Sequence, residues 1–276
     1  MNPHNEPNSS PIAMFSSFWQ NRQLIWQMTR REISGRYRGS LLGLAWSFLN
    51  PLVMLMVYTF VFSVVFQSRW GEDQIANRSD FAMVLFTGMI VYNFFAEIVN
   101  RSPSLIITNV NYVKKVVFPL EILPWVSLGS VLFHSIVSLG VLLMLQLAAN
   151  YSLPLTTLLF PIVFMPLIFA CMGIAWFLAA LGVFVRDIGQ VTGVFTTIMM
   201  FLSAVFYPLS ALPQQYQFWL RLNPLILIIT ECRNVLIFDN LPDWTALGFS
   251  WLTGLCMAVV GFWWFQKMRK GFADVI

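Results

Sequence analysis

Between Leu41 and Phe66 the chain runs for 26 residues without a charged side chain. A helix rises 1.5 Å per residue, so this run reaches about 39 Å, more than the ~30 Å hydrocarbon core of a bilayer. Five arginines precede it: Arg22, Arg30, Arg31, Arg36 and Arg38. Glu72, Asp73 and Asp80 follow it. Basic flanks stay in the cytoplasm, which orients this first span with the N-terminus inside. Only 10% of the 276 residues are charged and 58% are hydrophobic, against roughly 25% charged in a soluble domain. The sequence therefore predicts a multi-pass membrane protein, with no room for a separate soluble domain.

The expected fold class is all-α, with six transmembrane helices at about 41–66, 81–99, 122–147, 155–185, 188–207 and 246–265. Asn50-Pro51 predicts a kink in the first, because proline removes one backbone hydrogen bond and crowds the preceding turn. Pro161 and Pro166 fall inside the fourth. Residues 1–14 are polar and predicted mobile, and no cleavable leader is expected in the first forty residues. Residues 15–36 bring Phe15, Phe18, Trp19, Trp26 and Ile33 near one helical face, broken by Arg22. Two tryptophans among arginines predict an amphipathic interface helix along the inner membrane surface, with a short solvated helix as the alternative. Residues 37–276 form the transmembrane domain. Twelve of the sixteen lysines and arginines fall in inside segments, a bias that supports cytoplasmic N- and C-termini.

Two connections are unusual. The inside one, 100–121, mixes polar, basic and apolar residues and is long enough for a short surface helix. The outside one, 209–243, is apolar, yet Pro213, Asn223-Pro224, Arg221, Glu231 and Arg233 split it into two half-length pieces. Irregular backbone at membrane depth survives only under protein or beside water. The expectation is a re-entrant outer helix pair, the alternative a pair lying flat on the outer surface.

Catalytic chemistry has little to stand on. His4 and His134 are the only histidines, neither H-E-x-x-H nor G-x-S-x-G occurs, and no Gly-Lys pair exists to build a phosphate-binding loop. Cys171, Cys232 and Cys256 lie far apart and suggest neither a metal site nor a disulfide frame. The net charge of +4 reflects the inside loops and is not read as nucleic-acid binding. Glu97, near the inner end of the second span, is expected to pair with Arg101 four residues on. His134, mid-way along the third, is expected to be a neutral imidazole bonded to a neighbouring helix, since a proton relay needs acids at similar depth. Small residues four apart, Ala175 with Ala179 and Gly254 with Ala258, permit close helix packing. Aromatic residues within spans pack against lipid in the ordinary case, or line a path for sugars, whose apolar faces stack on rings.

Four stretches carry a family resemblance. They are REISGRYRGSLLGLAWSFLNPLVMLMVYTFVFSVVF, the inside loop NVNYVKKVVFPLEILP, FVRDIGQVTGVFTTIMMFLSAVFYPLSALP, and NPLILIITECRNVLI. Together, in this order over residues 30–240, they resemble ABC-2 type permeases that export O-antigen, capsule or teichoic acid polysaccharides. The resemblance implies a homodimer in the bacterial inner membrane, joined to two copies of a separate ATPase. ATP and magnesium would sit on that partner, leaving this chain a transport subunit without cofactor or catalytic residues. The substrate would be a lipid-linked polysaccharide, most of all O-antigen. A permease for a small hydrophobic molecule and an ATP-independent lipid or sugar flippase are the competing readings. A membrane-embedded transferase is disfavoured, since no acids or histidines cluster at a membrane face.

The resemblance also implies site residues. Ser104, Leu105, Asn109, Asn111, Tyr112, Lys114 and Lys115 would form a coupling helix on the ATPase, with Arg186 and Asp187 nearby. Arg36 and Arg38 would meet the lipid diphosphate. Trp46, Tyr58, Phe62, Phe195 and Phe201 would line the channel. Tyr207, Pro208, Arg221, Asn223, Pro224, Glu231 and Arg233 would form the outer gate.

Overall fold

A computed structural model describes residues 10–61, 78–113, 118–150, 152–209, 213–221 and 223–275. Every regular element among them is helical. Five helical segments are long and apolar enough to cross a membrane: Gly43–Val61, Phe81–Ser104, Leu120–Ala149, Leu155–Phe184 and Trp244–Gly271. A shorter apolar helix, Ile188–Leu202, makes a sixth. The chain is thus an all-α membrane protein.

The N-terminal segment forms two helices instead of one, α1 (Pro11–Gln20) and α2 (Arg22–Arg36). The break falls at Asn21, whose side-chain amide donates to the Ser17 carbonyl at 2.8 Å. Local side-chain bonding of this kind competes with helical continuation. Ser10 caps α1 by accepting from the Ala13 N–H, and Pro11 follows at the first position, where its missing donor costs nothing. Ile12, Phe15, Trp19 and Trp26 remain exposed on this pair, while Met14, Ile25 and Thr29 turn inward. Thr29 reaches the Val126 carbonyl beside Gly129, where an added Cβ would come within 2.9 Å of its side chain.

After a 3-10 turn, α3 (Trp46–Tyr58) carries Pro51 in its interior. The predicted residues 62–66 of this span lie outside the described part. The second crossing, α4 (Arg78–Arg101), gives way to two short turns, Ser102–Ser104 and Ile107–Asn109, and the single-turn α5 (Val110–Val113). Next come α6 (Leu123–Asn150) and α7 (Phe160–Phe184). Pro161 sits in the first turn of α7 rather than its interior; Pro166 is inside.

The fifth crossing, α8 (Ile188–Leu202), stops five residues before the predicted boundary at 207. Its 15 residues span only about 22 Å. Ala204 takes a left-handed conformation, φ 51°, which a residue with a Cβ rarely adopts, and the chain folds back so that Tyr207 donates to the Phe201 carbonyl at 2.6 Å. Two helices follow on that side, α9 (Gln214–Arg221) and α10 (Pro224–Leu236). Then α11 (Trp244–Met268), capped by Asp243, returns to the end that holds the termini, where α12 (Phe272–Val275) closes the description.

Helix α4 is the central post: it packs on α3, α6, α7, α8 and α10. Beside it, α7 and α11 touch backbone to backbone. An added Cβ at Gly254 would lie 2.5 Å from the Pro166 carbonyl oxygen, and additions at Gly173 and Gly261 would collide with the carbonyls of Met257 and Gly173. Small residues at such a seam let two helices approach until main chains meet. The terminal end is clasped by Glu121, which accepts from Arg269 at 2.6 Å, while its carbonyl receives the indole N–H of the fully buried Trp176.

Candidate functional site

Three features converge on the terminal end of α4. The first is a cleft of about 500 Å³ between α3, α4 and α6. Its floor is an ion-pair ladder between α2 and α4. Arg36 donates to Glu97 at 2.6 Å, Glu97 also takes Arg101 at 3.3 Å, and Arg101 pairs with Glu32. The i,i+4 pair read from the sequence is therefore present, within a larger set that joins residues 61 apart in the chain. Two acids and two bases leave the ladder electrically balanced. Next to Arg36, Tyr37 brings its hydroxyl 3.4 Å from Nδ1 of His134, the contact to a neighbouring helix expected for that histidine. Burial raises the Tyr37 phenol above its usual pKa, so at neutral pH it keeps its proton. Arg36 is thus partnered by Glu97 instead of standing free for an anion, whereas Arg38 is exposed.

The second feature is the surface beyond α4. The segment expected to be one coupling helix is a chain of turns, because Pro103 and the Asn109 side chain, which donates to the Leu105 carbonyl, break regular hydrogen bonding. Ser104 and Asn111 are exposed and Asn109 half-buried. Leu105 faces inward beside the fully buried Ile106 and so anchors the segment rather than presenting it. Tyr112 stacks on Phe118, ring centroids 4.3 Å apart. Lys114 and Lys115 lie outside the described residues. Arg186 and Asp187, both exposed, occupy the α7–α8 turn. That turn lies close by: an added Cβ at Gly182 would strike the Pro103 carbonyl. Two segments 80 residues apart in the chain thus form one surface.

The third feature is a pair of unpacked apolar faces on α3 and α8, two helices that both pack on α4. Met56, Val57 and, just beyond α3, Phe60 are exposed on one, and Val191, Val194 and Ile198 on the other. Trp46, Phe195 and Phe201 belong to these faces, while Tyr58 is half-buried and lines the cleft. Phe62 lies outside the described residues. Helix α8 is tied to α4 by polar bonds, with Tyr92 donating to the Thr196 carbonyl at 2.8 Å and the Asn100 amide to the Thr196 hydroxyl at 3.0 Å.

At the opposite end, α10 is buried against α4 and α7, and α9 exposes Tyr216, Phe218 and Trp219. Arg233 is enclosed by protein, donating to the carbonyls of Val84, Ala204 and Val205 at 3.0, 3.0 and 2.7 Å. Gly88 leaves the space for it: an added Cβ would lie 2.5 Å from Nη2. The guanidinium therefore holds the left-handed turn at Ala204 against α4. Buried Glu231 accepts the Asp243 N–H at 3.2 Å. Asn223 caps α10 and donates to the Leu202 carbonyl. Tyr207 and Pro208 are half-buried and Pro224 exposed; the Arg221 side chain is outside the described part. Of the residues expected at an outer gate, Glu231 and Arg233 thus serve as internal ties.

A family model described as "ABC-2 type transporter" matches residues 23–237. Among curated proteins, the O-antigen export system permease protein RfbA of Myxococcus xanthus is 28% identical over 271 residues, 96% of this chain and 100% of the relative. Its namesake from Klebsiella pneumoniae is 24% identical over 92% of this chain and 95% of its own length. The polysialic acid transport protein KpsM of Escherichia coli is 22% identical over 89% and 93%. The chain belongs to the ABC-2 type transporter family.

Proposed function

We propose that this ABC-2 transporter is the permease subunit of an ATP-driven exporter that moves a lipid-linked polysaccharide, O-antigen above all, across the bacterial inner membrane. The observation that carries this reading is the pair of unpacked faces on α3 and α8, in a chain whose near full-length relatives are O-antigen export permeases. Two copies meeting through these faces would enclose a conduit that neither copy builds alone. The termini lie in the cytoplasm, in keeping with the bias of basic residues. Two copies of a separate ATPase dock on the surface made by Ser104–Val113 and Arg186–Asp187. ATP and magnesium belong to that partner.

The geometry suggests how its movement would travel. A push at Ser102–Ser104 reaches α8 through Asn100 and Thr196, and reaches α2 through the Glu97 and Arg101 ion pairs. One conduit wall, α8, and the N-terminal helix α2 are thus linked to one end of one helix. The lipid diphosphate would meet Arg38 first, with Arg36 joining as its pair with Glu97 opens.

Deletion of the gene should trap polymer on the cytoplasmic side and clear it from the cell surface. Untouched surface polysaccharide would sink the proposal. Replacing Arg36 and Arg38 together with Gln should lower export while dimers still assemble; unchanged export would remove the headgroup role.

A further inference from the structure

The cleft between α3, α4 and α6 has a lining that a lipid-facing or merely loose cavity would lack. Asn50 and Tyr58 of α3, Asn93 of α4 and Ser135 of α6 all border it. None of these four side chains makes a hydrogen bond among the described residues. Nε2 of His134, on the same wall, is buried and also without a partner. Asn50 and Asn93 are exposed and Tyr58 and Ser135 half-buried; with the buried Nε2 of His134 they offer an entering molecule five groups that donate or accept, at a depth where an unpaired polar group is costly.

The charge balance narrows the occupant. Two acids and two bases close the inner end, already paired with one another; a free anion would gain little there. What remains is amide, hydroxyl and imidazole interleaved with apolar groups: Asn50 and Tyr58 alternate with Met54 at helical spacing along α3, and Asn93 follows Phe86 and Ile90 along α4. Polar and apolar groups alternating along one wall suit a ring with hydroxyls at its edge and C–H bonds on its face. The volume, about 500 Å³, lies in the range of small-molecule sites.

We infer that this cleft is a sugar-binding site within each subunit, taking the uncharged sugar or sugars nearest the lipid diphosphate. It rests on the export reading above. Asn50 and Asn93 supply paired donors and acceptors to the ring hydroxyls, and Met54 with Pro51 covers the ring face. The diphosphate stays outside, toward Arg38.

Site-specific photocrosslinking in growing cells tests this, with p-benzoylphenylalanine placed singly at Met54, at Ser40 beside the diphosphate position, and at Ile136, exposed on the far side of α6. Adducts are purified with the protein and identified by mass spectrometry. The expected result is glycan on Met54 and Ser40, with lipid alone on Ile136. Asn50→Ala with Asn93→Ala should cut the Met54 adduct by about twenty-five-fold, about fivefold for each hydrogen-bonding amide lost, and leave the Ser40 adduct intact. Glycan at Ser40 with only lipid or no adduct at Met54 would overturn the sugar site and leave the export reading standing. Glycan at none of the three positions would overturn both. A Met54 adduct indifferent to the double substitution would also overturn the site, since the amides would then bind nothing.

Discussion

Helices α3 and α4 stand side by side, line the same cleft and have nearly the same mean hydropathy, yet their surroundings differ sharply. In the most apolar stretch of each, 83% of residues are buried in the α4 segment and 11% in that of α3. Hydropathy decides whether a segment enters the bilayer; it does not decide what the segment touches there, because lipid tails are as apolar as leucine. What separates the two is specific anchoring. Gly88 admits Arg233, Tyr92 and Asn100 hold α8, and Glu97 and Arg101 hold α2. Among the described residues, no anchor of that density lies on α3. The fixed helix organises the fold, and the loosely held one leaves most of its surface unpacked.

Substitutions can break or sharpen this contrast. Arg233→Met should have the largest effect, about 4 kcal/mol, since it orphans three buried carbonyls; a thermal unfolding midpoint in detergent within a degree or two of wild type would refute the clamp. Leu85→Ala in α4 should cost about 2 kcal/mol through lost packing, with the solvent-transfer part of the usual penalty absent in lipid. Glu97→Gln removes half-exposed ion pairs and should cost under about 1 kcal/mol, yet reduce export if the ladder transmits motion. Met56→Ala on α3 should change subunit stability by less than about 0.5 kcal/mol while weakening dimer crosslinking. Equal losses for Leu85→Ala and Met56→Ala would erase the distinction between the two helices.

The spans were legible because long uncharged runs have few other outcomes. So was the Glu97–Arg101 pair, whose signal is local. The contacts that shape the site are not local. Nothing in the sequence near Arg36 announces Glu97 as its partner, so Arg36 reads as free. Glu231 and Arg233 read as gate charges, because backbone carbonyls able to enclose a guanidinium leave no mark in side-chain patterns. The short α8 was missed for the same reason, since its end is set by the turn at Ala204 and not by any proline or glycine. Pro103 and Asn109 were visible in the stretch expected to form a coupling helix, and their joint effect on helical continuity was underestimated.

The glycine seam between α7 and α11 bears on how such a subunit could do work. Main chains in contact have no side-chain slack to absorb a load, so this pair behaves as a stator. Force applied at Pro103, which abuts Gly182 of α7, finds an unyielding bearing on that side. In the proposed export cycle the displacement would then be delivered where packing is sparse, to α3 and α8, and a bulky residue introduced at Gly173 or Gly261 would spend the stroke on prising the stator apart.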